Sequence, residues 1–346
     1  MSNSTRVFGV NAVVLLLTVV SGLVMTVLAG DWRENHNDLA VLIGARTKAL
    51  ETDLEKAFPL RQAAIDAWGS LEFAVFGNGR KGVLVGSDGW FYSSEEFERP
   101  KNFDAEIASK LDYIQTVKKT LEKSGIKLAV VLVPAKARVY PEYSGRYSRP
   151  KYWDGVYHNF LSGLQTRGVI APDIFAVMKS KDSMFLKTDT HWTPAGARVA
   201  AHALAEVVKP VLELQTQMFS EKPGKLENHF GDLLKFIPLA GFVPQSTPDK
   251  LETPIVESAD SGGSGLFGDS KIEVALVGTS YSKNPKFNFD GALKLELQTD
   301  VLNLALEGKG PITPMTDFLK AIPENLKLVV WEIPERFLPV AYPEQK

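Results

Sequence analysis

Ile272-Glu273-Val274-Ala275-Leu276-Val277-Gly278-Thr279-Ser280-Tyr281-Ser282, residues 272–282, is an apolar run that halts at a glycine and passes into a cluster of hydroxyls. A short run rich in β-branched side chains, without polar alternation, is the pattern of a parallel strand covered on both faces. Two more runs share it: Ile126–Val133 (IKLAVVLV), stopped by Pro134, and Leu326–Trp331 (LKLVVW). Segments with helical patterning near 104–124, 194–213 and 313–322 lie between or beside them, the alternation that folds into a parallel sheet with helices on both faces. The expected fold class is therefore α/β, an α/β/α sandwich with a mainly parallel sheet. Upstream, Gly82–Glu96 (GVLVGSDGWFYSSEE) alternates and breaks at Ser87-Asp88-Gly89, which is hairpin chemistry.

The chain has 346 residues, 45% of them hydrophobic, enough to bury the core of one large domain. Lysine plus arginine (39) nearly balance aspartate plus glutamate (41), and no basic stripe is interleaved with aromatics, so nothing recommends nucleic acid as a partner. The absence of cysteine removes disulfides, thiolate catalysis and cysteine-based metal sites together. Val7–Gly30 carries no charge between Arg6 and Asp31, and at ~1.5 Å per residue it is long enough to cross a ~30 Å hydrocarbon layer. Residues 1–30 are thus expected to form an N-terminal transmembrane anchor, 31–79 a helical stalk, and 80–346 the catalytic body, with the Gly/Ser-rich 258–271 as a connector. A cleaved signal peptide ending at Val27-Leu28-Ala29 is the alternative, but the apolar run exceeds the ~7–15 residues of a signal core.

In an open parallel sheet, functional groups gather beyond the carboxyl ends of the strands. Gly268-Asp269-Ser270 precedes the run 272–277, whereas Ser280 follows it, so position favours Ser280 over Ser270 as the nucleophile; an ordinary strand-ending turn, in which Gly and Ser are common, is the alternative reading of 278–282. A serine hydroxyl needs a base. Of the five histidines, His36, His158, His191, His202 and His229, His36 sits just past the anchor and His202 lies inside a helical stretch. His191 differs, because Asp189 stands two positions before it, and on extended backbone residues i and i+2 point the same way. Thr193 and Pro194 fit N-cap and first-helical positions of a helix over 194–208. The spacing suits an acid–base pair on a helix-capping loop, although Asp189 alone could serve backbone N–H groups there. A metal reading has one carboxylate and one imidazole, with His229 in Glu227–Leu233 as the only further candidate, and is not favoured; no cofactor is called for.

These residues resemble the alginate O-acetyltransferases of the AlgJ/AlgX type, a family in the SGNH-hydrolase-like group. The matching segments are VLVGSDGWFYSSEE, LVPAKARVYPEYS (132–144), KTDTHWTPAGA (187–197), GDLLKF (231–236), VGTSYS, DVLNLALEGKGPITPM (300–315) and WEIPERFL (331–338). The resemblance implies an SGNH-like sandwich with Ser280 as nucleophile, His191 as general base and acid, and Asp189 as its orienting carboxylate. Because the chain stops about ten residues after Arg336, it is expected to be closer to the membrane-anchored AlgJ form than to the AlgX form with its carbohydrate-binding module.

What the resemblance implies in function is transfer of acetyl groups to hydroxyls of an exopolysaccharide, alginate or similar. It also implies a periplasm-facing domain on the bacterial inner membrane, and a membrane-embedded acyltransferase of the MBOAT type as acetyl donor partner. The Ser280 N–H would hold the oxyanion, with Asn284 and Asn288 as further candidates. Trp192, Tyr281 and Arg336 are assigned to acceptor binding, within a wider aromatic set of Trp90, Tyr92, Tyr152 and Trp153; Arg336 can equally pair with Glu332 or Glu335. A deacetylase using the same residues, or a non-catalytic polysaccharide-binding subunit, are the alternative functions.

Overall fold

A computed structural model describes residues 79–237, 247–258 and 271–343, with isolated positions and short runs before them from residue 20. The apolar run 7–30 lies outside the described residues apart from Val20 and Val24, as do most of the stalk, the Gly268-Asp269-Ser270 segment and nearly all of the connector. Among the described residues no helix is long and apolar enough to cross a membrane.

In chain order the elements are β1 (Val83–Val85), β2 (Phe91–Ser93), α1 (Phe103–Glu122), β3 (Lys127–Val133), α2 (Lys136–Val139), α3 (Val156–Thr166), α4 (Ile174–Met178) and α5 (Pro194–Val208). There follow β4 (Phe219–Lys222), β5 (Leu226–His229), β6 (Asp249–Glu252), β7 (Ile255–Ser258), β8 (Val274–Val277), α6 (Ser280–Lys283), α7 (Phe289–Leu297), β9 (Val301–Asn303), α8 (Ile312–Lys320) and β10 (Leu328–Pro334). The central sheet has the order β3-β10-β8-β9 and every pairing in it is parallel.

Strand alternation divides the core in two. Ala129, Val131, Val133, Val274, Leu276, Leu328 and Val330 face one layer, where they pack with Ala197, Ala201 and Leu204 of α5 and Leu293 of α7. Leu128, Val130, Leu132, Ala275, Val277, Val329, Trp331 and Ile333 face the other, against Ile114 and Leu121 of α1, Phe160 of α3 and Met315 of α8. Each large apolar side chain so enclosed contributes about 1.5–3 kcal/mol relative to exposure, so neither face can be left bare. The expected three-layer α/β/α sandwich is the fold observed.

The hairpin of β1 and β2 is antiparallel, and its connection carries Asp88 (φ 52°) and Gly89 (φ 77°) in the left-handed region that turns of this kind require. The run expected at 326–331 lies further on, since β10 reaches Pro334 and takes Glu332 into the sheet. A carboxylate is tolerated there because Thr279 and Ser282 donate hydrogen bonds to it. Two antiparallel pairs, β4 with β7 and β5 with β6, were not expected from the sequence; most of their residues are exposed, so no apolar period marks them.

Candidate active site

The sheet delivers Ser280 at its carboxyl edge. β8 ends at Val277, Gly278 follows, and Thr279 caps α6 with its side-chain oxygen accepting from the Tyr281 N–H. Gly278 is required by close approach: a Cβ there would stand 2.6 Å from Glu332 Oε2 and 2.9 Å from Glu332 Cβ. Glu332 accepts from the Thr279 N–H at 2.7 Å, from Thr279 Oγ1, and from Ser282 Oγ at 3.0 Å, so the neighbouring strand grips the turn on both sides of Ser280. Burial pushes its carboxyl up to about 7, against the hydrogen bonds that favour the ionised form.

The loop before α5 delivers the other two groups. His191 Nε2 lies 2.7 Å from Ser280 Oγ, and His191 Nδ1 lies 2.5 Å from Asp189 Oδ1, which also accepts from the His191 N–H at 3.0 Å. Thr193 accepts from the Gly196 N–H and Pro194 opens the helix, as the sequence suggested. Phe287 stacks on the His191 ring at 4.5 Å and 18°, and Tyr281 leans on it at 4.5 Å, leaving the imidazole little room to rotate. Asp189 is buried; desolvation alone would raise its pKa, yet hydrogen bonds from His191 and His229 hold it far below the usual carboxylate range.

The loop is itself pinned. The Lys136 ammonium, fully buried at the start of α2, donates to the carbonyls of Leu186 (2.9 Å), Lys187 (3.1 Å) and Asp189 (2.6 Å). Burial pulls it down to about 8, against the pull of Glu96, Asp189, Asp249 and Asp232. Asp249 accepts from the N–H groups of Lys187 (2.8 Å) and Thr188 (2.9 Å), while Asp232 accepts from Thr190 N–H (2.8 Å) and Thr190 Oγ1 (2.7 Å). Gly231 lets this second loop touch the first, since a Cβ there would lie 2.1 Å from the Thr188 carbonyl oxygen. Lys136, Glu332, Asp232 and Asp249 carry no motif of their own; Lys136, Asp232 and Glu332 stood within segments of the resemblance, and nothing periodic pointed to Asp249.

Several expected ligand contacts are not where the sequence put them. Trp192 is fully enclosed, packs on Phe289 and donates its indole N–H to the Tyr281 carbonyl; Tyr281 is buried and donates its hydroxyl to the Thr190 carbonyl. Both brace the triad loop from behind and offer no face to a ligand, because the fully apolar layer beneath the sheet edge needs their bulk. Trp90, Tyr92 and Trp153 are core residues as well, and part-buried Tyr152 packs on Phe103. Asn284 caps the turn 285–287, its Oδ1 accepting from the Lys286 N–H, and the Asn288 amide N–H donates to the Pro254 carbonyl rather than standing free as an oxyanion donor.

Arg336 lines a cleft of about 420 Å³ together with Lys81, Lys235, Glu95, Thr190 and Asp232. Its guanidinium lies over the rings of Tyr281 and Phe337, and its nearest acid is Glu95 at 3.5 Å, with the buried Nε making no hydrogen bond. It pairs with neither Glu332, held by Thr279 and Ser282, nor Glu335, held by Arg138, Arg149 and the Ala135 N–H.

His229 is no metal partner for Asp189 and His191 as posed; its Nε2 lies 2.7 Å from Asp189 Oδ2, on the carboxylate edge away from His191. Asp189, His191 and Asp232 do bring ligand atoms within 4.8 Å of one another. Each residue of this set also has hydrogen-bonding partners: Asp189 faces His191 Nδ1, His191 Nε2 faces Ser280 Oγ, and both oxygens of Asp232 accept from Thr190.

A hydroxyl, an imidazole and a carboxylate stand in line at the carboxyl edge of a parallel sheet, in an α/β domain of the SGNH-hydrolase-like class. The chain belongs to the family of the AlgX SGNH hydrolase-like acetyltransferase domain, whose model matches residues 83–335. It is 39% identical over 348 residues to the "Probable alginate O-acetylase AlgJ" of Pseudomonas syringae pv. tomato, covering 94% of this chain and 88% of the relative. The protein of that name from Pseudomonas aeruginosa is 36% identical over 323 residues, covering 88% and 82%. Among solved structures, the O-acetyltransferase domain of Pseudomonas putida AlgJ superposes with a TM-score of 0.69 at 40% identity, over 76% of this chain and 94% of that one.

Proposed function

We propose that this chain is an O-acetyltransferase of alginate or a similar exopolysaccharide, working through an acetyl-Ser280 intermediate. The observation that carries the reading is the line Ser280 Oγ to His191 Nε2 to Asp189, at 2.7 Å and 2.5 Å, inside a domain of this family. His191 takes the Ser280 proton as the oxygen attacks the acetyl carbonyl of the donor, then returns that proton to the departing donor oxygen or sulfur as the acetyl–donor bond breaks. An acceptor hydroxyl then gives its proton to His191 and attacks the acetyl-serine, and the imidazolium returns the proton to Ser280 Oγ. Asp189 holds the ring and its tautomer throughout. The Ser280 N–H, at the first turn of α6 and so without an intrahelical acceptor, supports the developing oxyanion.

The cleft beside the triad loop receives the acceptor, with the buried Arg336 meeting a sugar carboxylate. Acetyl groups arrive from a membrane-embedded acyltransferase of the MBOAT type. The run 7–30 anchors the periplasmic domain in the inner membrane, with 31–79 as a stalk.

Intact-mass measurement after exposure to an activated acetyl ester tests the reading. Acetyl uptake that vanishes in Ser280→Ala, and moves onto an added uronate oligomer in the unsubstituted protein, is the expected result. Equal uptake by Ser280→Ala, or acetyl removed from an acetylated oligomer with none gained by a bare one, overturns it.

A further inference from the structure

We propose that His229 is a positioning residue that locks Asp189 through Oδ2, forming a His191–Asp189–His229 bridge in which only His191 meets the reacting atoms. The proposal rests on the acetyl-serine reading above. A carboxylate offers about four lone-pair directions, and all four have partners here. Oδ1 accepts the His191 N–H and faces His191 Nδ1; Oδ2 accepts the Asp232 N–H at 3.1 Å and faces His229 Nε2 at 2.7 Å. The carboxylate therefore cannot swing about its Cβ–Cγ bond without breaking a bond on each edge.

The second observation lies on His229 itself. Its Nδ1 is buried and makes no hydrogen bond, so the ring makes its one polar contact with the carboxylate that orients the catalytic base. Because an ionised carboxylate only accepts, the proton of that contact sits on His229 Nε2, and the bare Nδ1 lone pair is the cheaper atom to leave unpaired. The last residue of β5 delivers the ring, its strand paired to β6 through His229 and Asp249, so the strand carrying His229 is stitched to the residue that pins Lys187 and Thr188. Phe287, which stacks on His191, also meets the His229 ring edge-on at 6.1 Å, placing both imidazoles on one aromatic wall. A donor on Oδ2 also draws negative charge from Oδ1, which keeps the shared proton on His191 Nδ1.

Glutamine places an amide N–H near the position of Nε2, whereas alanine removes the donor, so the pair separates clamp from bulk. Steady-state hydrolysis of an aryl acetate by His229→Ala is expected to show kcat lower on the order of 10- to 100-fold, with KM within about twofold. His229→Gln is expected to recover kcat to within about threefold of the unsubstituted enzyme. A proton NMR resonance far downfield, from His191 Nδ1–H against Asp189, is expected in the unsubstituted protein and in His229→Gln and broadened or shifted upfield in His229→Ala. Unchanged kcat in His229→Ala, equal damage in both variants, or a downfield resonance identical in all three overturns the clamp. The resonance needs no turnover, and acetyl uptake in Ser280→Ala bears on the acetyl-serine reading alone, so the two claims fail separately.

Discussion

Ser280 Oγ stands 2.7 Å from His191 Nε2 although the two residues are 89 positions apart in sequence. One arrives on a turn after a central strand and the other on a loop before a helix of one sheet face, so their meeting is a property of the packed sandwich.

Two substitutions probe that line at opposite ends. Ser280→Ala removes the atom that accepts the acetyl group in the proposed mechanism, and turnover is expected to fall by at least about 10³-fold, with residual activity from binding and oxyanion donors alone. Asp189→Asn keeps the shape of the side chain but offers an N–H where His191 needs an acceptor, and a loss approaching ~10⁴-fold is expected in kcat. Thermal midpoint within a few degrees of the parent, read by circular dichroism, separates either loss from unfolding.

Glu332 gives a pH signature. Its carboxyl is pushed up from 4.5 to about 7 in the fold, so between those values the folded state holds a proton that the unfolded chain has released. The contribution is fully present below pH 4.5 and is lost as pH rises through about 7, at most roughly 3 kcal/mol by 1.36 kcal/mol per pKa unit. Glu332→Gln keeps an acceptor for the Thr279 N–H without a charge to bury. Denaturant unfolding at pH 5 and pH 8 is expected to show a smaller decline in stability for the variant than for the parent; an equal decline would mean that Glu332 does not titrate in this window.

Lys136 separates activity from stability. Its ammonium spans three carbonyls of the loop that carries Asp189 and His191, and burial lowers it from 10.5 to about 8. The unfolded chain therefore binds the extra proton between those values, so this group's contribution to stability rises with pH across that range. Lys136→Met fills the same space without donors. Removal of the buried charge offsets part of the cost of taking the donor from the Leu186 and Asp189 carbonyls, the Lys187 carbonyl keeping the Phe91 N–H, while the loop loses its tether. A drop in kcat on the order of tenfold or more, larger than the change in unfolding free energy would produce through population of the unfolded state, is expected; equal kcat would show the loop to be held without Lys136.

Much of the site was legible before any coordinates. Ser280 could be chosen over Ser270 because a nucleophile belongs beyond the carboxyl end of a strand, and Asp189 and His191 because i and i+2 share a face. Trp192 and Tyr281 misled, since an aromatic residue beside a catalytic one reads the same whether it meets a sugar or the core. Their burial depends on how the fold packs them against each other and sets Phe289 of α7 against Trp192.

The sequence by itself determined three of the four parallel strands, the helix start at Thr193 and Pro194, and the candidacy of the three aligned groups, because these follow from local periodicity, capping and strand polarity within a few residues of chain. Only the tertiary structure decided which further polar groups meet the site. Lys136, Glu332 and Asp232 find their partners 42 to 53 positions away, and His229 meets Asp189 across 40. A buried polar group takes its function from the partner that satisfies it, and that partner is chosen by packing across layers rather than by any pattern along the chain.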